Sequence, residues 1–460
     1  MELNKVCFFI TLIIVVVTIV SCKKEVATAP TPTVPILTTI AISDITQSTA
    51  TTGGNIAFDG GTTVTTRGIC WGTDSIPTID HNKTAEGTGS GSFISNLRDL
   101  IENTTYYVRA YATNSAGTGY GNIISFITLQ KNSGFFGLDS SKIFELINRI
   151  EKKIYPELHS LLIVKDDSLI IERYFNGYKR QYLHTLQSVT KSFTSAMIGI
   201  ALEKGLLKNI DSKILDFFPQ YTNIENMDDY KREIKIKDLL TMRSGTDYGE
   251  GFPNSPHDQL NKLKKGWDIF YLNRPMLGEP GTNFNYDSGG VILLSAILKS
   301  VYGSHADVFA DQYLFPNLEI TQKVWYKNEE GHPHSGGGLS LMPIDMIKLG
   351  ILYLHKGMWK GKQVVSESWV KKSFEMHSNL EPVFRDPYIR GYGYLWWILK
   401  PANKSKTNQY VYAAMGALGQ YIFVIPEYNM VVAVTGGTSS DENYRNPQKF
   451  LYDYILDAVM

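Results

Sequence analysis

The rhythm of hydrophobic and polar positions changes along this chain, and the changes divide it. An apolar run from Val6 to Val20, behind Lys5, opens the sequence. It is short for a membrane span and right for the core of a signal segment. From 37 to 128 the pattern shifts to short runs of Thr, Val, Ile and Tyr, punctuated by Gly-Gly, Asp-Gly-Gly and Gly-Thr-Gly-Ser-Gly. Tyr106-Tyr107-Val108-Arg109-Ala110-Tyr111-Ala112 alternates, with Val108, Ala110 and Ala112 on one face. That is the pattern of a small all-β sandwich. Residues 129–138 read as a linker. Beyond it the rhythm predicts a helix over Ser141–Lys153 and two strands, 160–165 and 168–174, joined by Asp166-Asp167. A helix follows Ser188, with Phe193, Ala196, Met197, Ile200 and Ala201 as its apolar stripe. A helix-rich middle includes Val291–Lys299. Gln420–Pro426 and Val431–Val434 form a hairpin, and Phe450–Val459 is a final amphipathic helix. Terminal helices covering a sheet drawn from both ends of the chain predict an α/β/α sandwich.

Bulk properties narrow the function classes. A chain of 460 residues accommodates two or more domains. Lys plus Arg and Asp plus Glu both number 45, so no basic surface points to nucleic acid. Cysteine occurs three times, at Cys7, Cys22 and Cys70, which makes no disulfide framework; Cys70 reads as a small buried hydrophobe. The histidines form no His-Glu-x-x-His pair, and His332-Pro333-His334 is the one close pair. No metal site and no cofactor are expected from this pattern.

Two short segments resemble known signals. Ile19-Val20-Ser21-Cys22 resembles the lipobox of bacterial lipoproteins, which implies removal of 1–21 and lipid on Cys22. The mature protein would then sit outside the cytoplasm, anchored to a membrane by acyl chains. Residues 22–36 form an extended tether. Within 37–128, Leu100, Thr104, Tyr106, Val108 and Ala110 resemble the tyrosine-corner strand of fibronectin type III domains. That resemblance implies a spacer, with Tyr107 and Tyr111 the first candidates for a contact surface.

The chemistry starts at Ser188-Val189-Thr190-Lys191. A serine hydroxyl needs an adjacent base to become a nucleophile. Lysine three positions later on a helix lies one turn above it, on the same face. Ser21–Lys24 and Ser368–Lys371 share the spacing, but only Ser188 heads an apolar helical stripe.

Residues 139–460 resemble the serine β-lactamase and penicillin-binding-protein superfamily, most nearly its class C-like branch of esterases and 6-aminohexanoate-dimer hydrolases. The matching segments come in the family's order. Ser188-Val189-Thr190-Lys191 is followed by Asp238-Leu239-Leu240-Thr241-Met242-Arg243-Ser244-Gly245, a hallmark with no direct chemistry. Then come Pro280-Gly281-Thr282-Asn283-Phe284-Asn285-Tyr286-Asp287-Ser288 and Gly337-Gly338-Leu339-Ser340. The resemblance implies a β-lactamase/transpeptidase-like α/β fold: an antiparallel sheet flanked by helices, plus an all-helical subdomain.

It also implies roles. Ser188 is the nucleophile, and Lys191 and Tyr286 share the general-base and general-acid work. Ser288 stands where the family has an asparagine. Ala417-Leu418-Gly419 stands where it has Lys-Thr-Gly, with His334-Ser335-Gly336 and Lys406-Thr407-Asn408 as decoys. The backbone amides of Ser188 and Gln420 would form the oxyanion hole. Without a lysine at 417, a neutral ester or amide substrate, small or peptide-like, fits better than a carboxylate-bearing one. Two alternatives stay open: a β-lactamase or D,D-peptidase, and a non-catalytic surface-binding lipoprotein. Trp396-Trp397, after Gly391-Tyr392-Gly393-Tyr394, are expected in the core or in the pocket wall.

Overall fold

The computed structural model describes residues 31–102, 104–128, 137–381, 386–437 and 446–460, in two compact units, 1–132 and 133–460. The apolar leader, Cys22, most of the tether and most of the linker lie outside the described residues.

The first unit is all β. Its strands are β1 (Ile36–Ser43), β2 (Ala50–Phe58), β3 (Thr66–Gly72), β4 (Asn82–Lys83), β5 (Gly91–Leu97), β6 (Thr105–Asn114), β7 (Gly117–Tyr120) and β8 (Ile124–Ile127). They form two antiparallel sheets, β1-β2-β5 and β4-β3-β6-β7, with β8 also paired to β6. Alternation along β6 buries Val108, Ala110 and Ala112 completely, in one core with Ile56, Ile69 and Leu97. Tyr106 is buried too, and its hydroxyl accepts from Ile101 N at 2.9 Å. Cys70 is buried as expected. Tyr111 is not the contact residue the sequence suggested. Thr84 lies against its face of β6, the phenol donates to Thr84 O at 2.6 Å, and the ring is 3% exposed.

The second unit begins with α1 (Ser140–Glu151), whose N-cap Asp139 accepts from Ser141 N. Strands β9 (Leu158–Lys165), β10 (Ser168–Tyr174) and β11 (His184–Thr185) lead through a 3₁₀ turn, Gln187–Val189, into α2 (Thr190–Glu203). The helical middle comprises α3 (Asp229–Glu233), α4 (Ile236–Leu240), α5 (Pro256–Lys262), α6 (Trp267–Leu272), α7 (Ser288–Tyr302) and α8 (Ala306–Tyr313). Next come β12 (Lys323–Trp325), β13 (Leu339–Leu341), α9 (Pro343–Leu354), a small hairpin of β14 (Met358–Trp359) and β15 (Lys362–Gln363), and α10 (Glu367–Phe374). The chain closes with β16 (Ser378–Asn379), β17 (Ile389–Tyr392), β18 (Trp397–Pro401), β19 (Tyr410–Gly416), β20 (Gln420–Ile425), β21 (Met430–Gly436) and α11 (Asn446–Phe450).

The main sheet has eight antiparallel strands in the order β10-β9-β21-β20-β19-β18-β17-β16. It is assembled from both ends of the unit, with Leu161 opposite Val434 and Val164 opposite Val431. The runs of β9, β20 and β21 are buried at nearly every position, which fits a sheet covered on both faces. Helix α9 packs on β20 and β21 closely enough that a Cβ on Gly350 would stand 2.5 Å from Val431 Cγ1. The unit's ends are stitched together, Asp139 N donating to Ala458 O and Met460 N to Gly137 O.

Two helices differ from expectation. The final run is α11 followed by one wide π-type turn, Leu451–Ile455. Helix α7 starts three residues before the expected Val291, because Asp287 caps it by accepting from Gly290 N at 2.8 Å. Helix α2 shows more than a stripe: every residue from Thr190 to Ala201 is buried, so it is a core helix on all sides. Two of its polar side chains tie it to distant segments, Ser192 Oγ donating to Leu395 O at 2.7 Å and Thr194 Oγ1 to Ser335 O at 3.0 Å.

Candidate active site

Ser188 sits on the 3₁₀ turn just before α2, partly exposed at the end of a buried helix. The preceding Gln187 has φ 47°, a left-handed conformation that costs a non-glycine residue on the order of 1–3 kcal/mol and is common beside reacting groups. Lys191 follows within the first turn of α2 and is 1% exposed. Its Nζ lies 2.8 Å from Ser188 Oγ and donates to Gly336 O at 2.6 Å. Burial pushes its ammonium down to about 8, against the pull of the Glu250 and Asp287 carboxylates. A lysine that loses its proton near pH 8 can take one from a hydroxyl.

Gly336 belongs to the His334-Ser335-Gly336 segment, which sequence reasoning treated as a decoy. It is a working part of the site, contributing a carbonyl and closeness rather than a side chain: a Cβ there would stand 3.0 Å from Ser288 O. His334 is buried, and burial drops its ring to about 3. Its Nε2 is 3.0 Å from Asn261 Oδ1, while His332 turns to Lys299 and His305, so this close pair does not converge.

Tyr286 comes from the loop before α7. Lys191 Nζ lies 4.8 Å above the centre of its ring, the cation–π face of a phenol. The ring stacks on Trp397 at 5.5 Å, and Phe284 and Tyr392 pack edge-on around that pair. The two tryptophans therefore divide their roles. Trp396 is fully buried between Tyr353 and Phe374, whereas Trp397 backs the tyrosine of the site.

The structure gives the hallmark 238–245 a task. Met242, at φ 58°, accepts Asn285 N on its carbonyl at 2.8 Å and Asp287 N on its Sδ at 3.2 Å. Ser244 Oγ donates to Asp287 Oδ2 at 3.2 Å, and the Tyr271 hydroxyl bonds the same oxygen. Asp287 is fully enclosed, and burial lifts its carboxyl to about 7. Tyr286 is thus held by its two neighbours, Asn285 and Asp287. Ser288, buried at the head of α7, donates its backbone N–H to Glu250 Oε1 at 2.5 Å. Sequence reasoning missed both carboxylates. Asp287 carries a legible signal, an N-cap residue ahead of an apolar run. Glu250 carries none, being one of two acids in a glycine-containing loop, with no periodic pattern around it.

The last expected segment is rearranged. Residues 417–419 form a tight 3₁₀ turn between β19 and β20, with Ala417 exposed, Leu418 at φ 65° and Gly419 buried. Gln420 is fully buried, and its side-chain Nε2 donates to Gly436 O at 2.6 Å. The backbone that abuts the nucleophile is that of Gly416: a Cβ there would stand 2.5 Å from Leu186 O and 3.1 Å from Ser188 N. The corner beside Ser188 is therefore Gly416–Ala417, at the far side of this turn from Gln420. Lys406 lies beyond the Tyr410 end of β19, about 20 Å along the strand from that corner. Arg243 is engaged by His377 O at 2.8 Å and Thr282 O at 3.3 Å.

The profile of the family described as Beta-lactamase matches residues 159–453. The chain is 22% identical over 289 residues to a 6-aminohexanoate-dimer hydrolase of Paenarthrobacter ureafaciens, covering 59% of this chain and 71% of that one. Among solved structures it is similar to a putative beta-lactamase from Bacteroides dorei, at TM-score 0.57 and 18% identity, covering 70% and 99% of the two chains. It is also similar to EstCE1, described as a hydrolase with promiscuous acyltransferase activity, at TM-score 0.57 and 17% identity, covering 70% and 98%.

Proposed function

Since the chain belongs to the Beta-lactamase family and is a serine hydrolase, we propose that it cleaves ester or amide bonds through an acyl-enzyme on Ser188. The observation that carries this reading is the buried Lys191 amine 2.8 Å from the Ser188 hydroxyl. Ser188 Oγ attacks the carbonyl carbon as its proton passes to Lys191 Nζ. The oxyanion that forms is met by backbone N–H groups at Ser188 and at the Gly416–Ala417 corner, in place of the Gln420 donor first expected. Lys191 returns the proton to the leaving alcohol or amine, with Tyr286 beside it as the relay. Water then attacks the acyl carbon by the reverse path and releases the acid.

A fluorophosphonate should add once to the native protein and not to Ser188→Ala, read by intact mass. Full esterase activity in that variant would remove the assignment of Ser188, whereas a native protein that takes no adduct and turns over no ester would favour a binding lipoprotein over an enzyme.

The acyl donor we propose is a small or peptide-like ester or amide without a carboxylate next to the scissile bond. Ala417 offers no charge, Lys406 is a strand's length away, and Arg243 is bound to carbonyls. A lost charge-assisted contact is worth about 1.5–3 kcal/mol. In kcat/KM, p-nitrophenyl butyrate should therefore exceed nitrocefin, and Ala417→Lys should narrow the gap. Nitrocefin turnover equal to the ester would move the reading to a β-lactamase or D,D-peptidase.

We further propose that Cys22 carries lipid outside the cytoplasm and that the β-sandwich, similar to fibronectin type III domains, holds the hydrolase away from the membrane. Labelled palmitate should enter the native chain and not Cys22→Ala.

A further inference from the structure

Besides the enclosed Asp287, Glu250 is a charged side chain at the site that the reaction above does not use. It reaches in from the loop between α4 and α5, is half-buried, and sets Oε1 2.5 Å from Ser288 N, two residues beyond Tyr286. Its negative charge is felt by Lys191, Tyr248, His257, Asp287 and Tyr392, the groups that surround the cleft. The carboxylate thus occupies the first free N–H of α7, where an anion is held both by the hydrogen bond and by the helix dipole.

Two features turn this into a statement about substrates. An ionised carboxylate only accepts hydrogen bonds, so a substrate group placed beside it must be a donor. The side chain of Ser288 is too short to act as the carboxamide that would both donate and accept there. Ala417, next to the Gly416 that abuts Ser188, supplies no cation. Lys191, once neutral, leaves the cleft with net negative charge, which favours a cationic group and penalises an anionic one.

We propose that Glu250 is a specificity-determining residue that selects substrates carrying an ammonium group within a few bonds of the scissile carbonyl. The proposal rests on the acyl-enzyme reading above and names the substrate class for it. Glu250 takes no part in bond making. Its carboxylate receives the substrate's N–H while its other contact, to Ser288 N, keeps it aimed.

The test compares substrates of equal shape and different charge. p-Nitrophenyl 3-aminopropanoate is matched with p-nitrophenyl butanoate for charge on the acyl side. The 2-(dimethylammonio)ethyl and 3-methylbutyl esters of butanoate, the first with one N–H on its charged nitrogen, are matched for charge on the alcohol side. In the native protein at least one cationic partner should have a kcat/KM about tenfold or more above its neutral twin, the size of a charge-assisted contact. Glu250→Gln keeps an acceptor for Ser288 N, and it should erase that ratio, the cationic esters losing about tenfold more in kcat/KM than their neutral twins. Equal ratios in native and Glu250→Gln proteins, or no preference in either pair, would overturn the proposal and leave the serine hydrolase intact. Absence of Ser188-dependent turnover of all four esters would overturn both readings together.

Discussion

Gly416 stands against the backbone of Ser188 with no room for a side chain: a Cβ at 416 would be 3.1 Å from Ser188 N and 2.5 Å from Leu186 O. Both obstacles are main-chain atoms, which cannot rotate aside. Gly416→Ala should push β19 away from the turn that holds the nucleophile. The expected result is a fall in kcat/KM of about 100-fold or more, the usual effect of losing one oxyanion donor. Circular dichroism should stay native. Undiminished turnover would show that this corner is not part of the site.

The pH profile follows from Lys191. Burial holds its pKa down to about 8, and the free amine is the form that accepts a proton. Activity should rise with pH and level off above about 8, the acid limb reporting Lys191 in the free enzyme. Lys191→Met should lower kcat on the order of 10²–10⁴-fold. A profile flat from pH 6 to 9 would contradict the role.

Asp287 is expected to matter without touching substrate. It receives Gly290 N, Ser244 Oγ and the Tyr271 hydroxyl, and it flanks Tyr286. Asp287→Ala would strand three donors and should cost about 2–4 kcal/mol in urea unfolding. Ser244→Ala removes one of those three donors together with the Ser244 bonds to Thr246, and should cost less, about 1–2 kcal/mol. Equal losses in the two variants would mean that the cradle is not organised around the carboxylate.

A second pH effect concerns stability. His159 and His184 are buried around Tyr178, and burial holds both rings down to about 4. Unfolded, they take protons near 6.5, so between those values the unfolded chain binds more protons. The contribution is complete above 6.5 and lost as pH falls towards 4, up to about 3 kcal/mol for each ring. Urea midpoints should drop over that window, and the drop should shrink in the double variant His159→Phe, His184→Phe. The same slope in both proteins would place the acid sensitivity elsewhere.

What the sequence made legible is what local periodicity encodes. Ser188 and Lys191 share a helix face three residues apart, and Val431–Val434 run without a polar residue, so both could be placed without a structure. Tyr286 was found because its neighbours match a known order of segments. The rest of the site depends on pairs far apart in the chain. Gly336 bonds a lysine 145 positions earlier, and Gly416 meets Ser188 across the sheet. Met242 works through a left-handed backbone that its side chain does not announce. Tyr111 misled for a related reason: a period-two pattern tells which face a residue is on, not what lies over it.

The interleaving of β9 and β21 also bears on how the protein is made. Leu161 and Val164 emerge early in synthesis, and their partners Val434 and Val431 emerge only after the helical middle and five more strands of the sheet have been produced. Until then one long hydrophobic edge of β9 has nothing to pair with. Such distant pairing slows folding and leaves an interval in which the nascent chain is open to aggregation. The hydrolase unit should therefore gain protease resistance abruptly, when β21 arrives, rather than in stages along the chain.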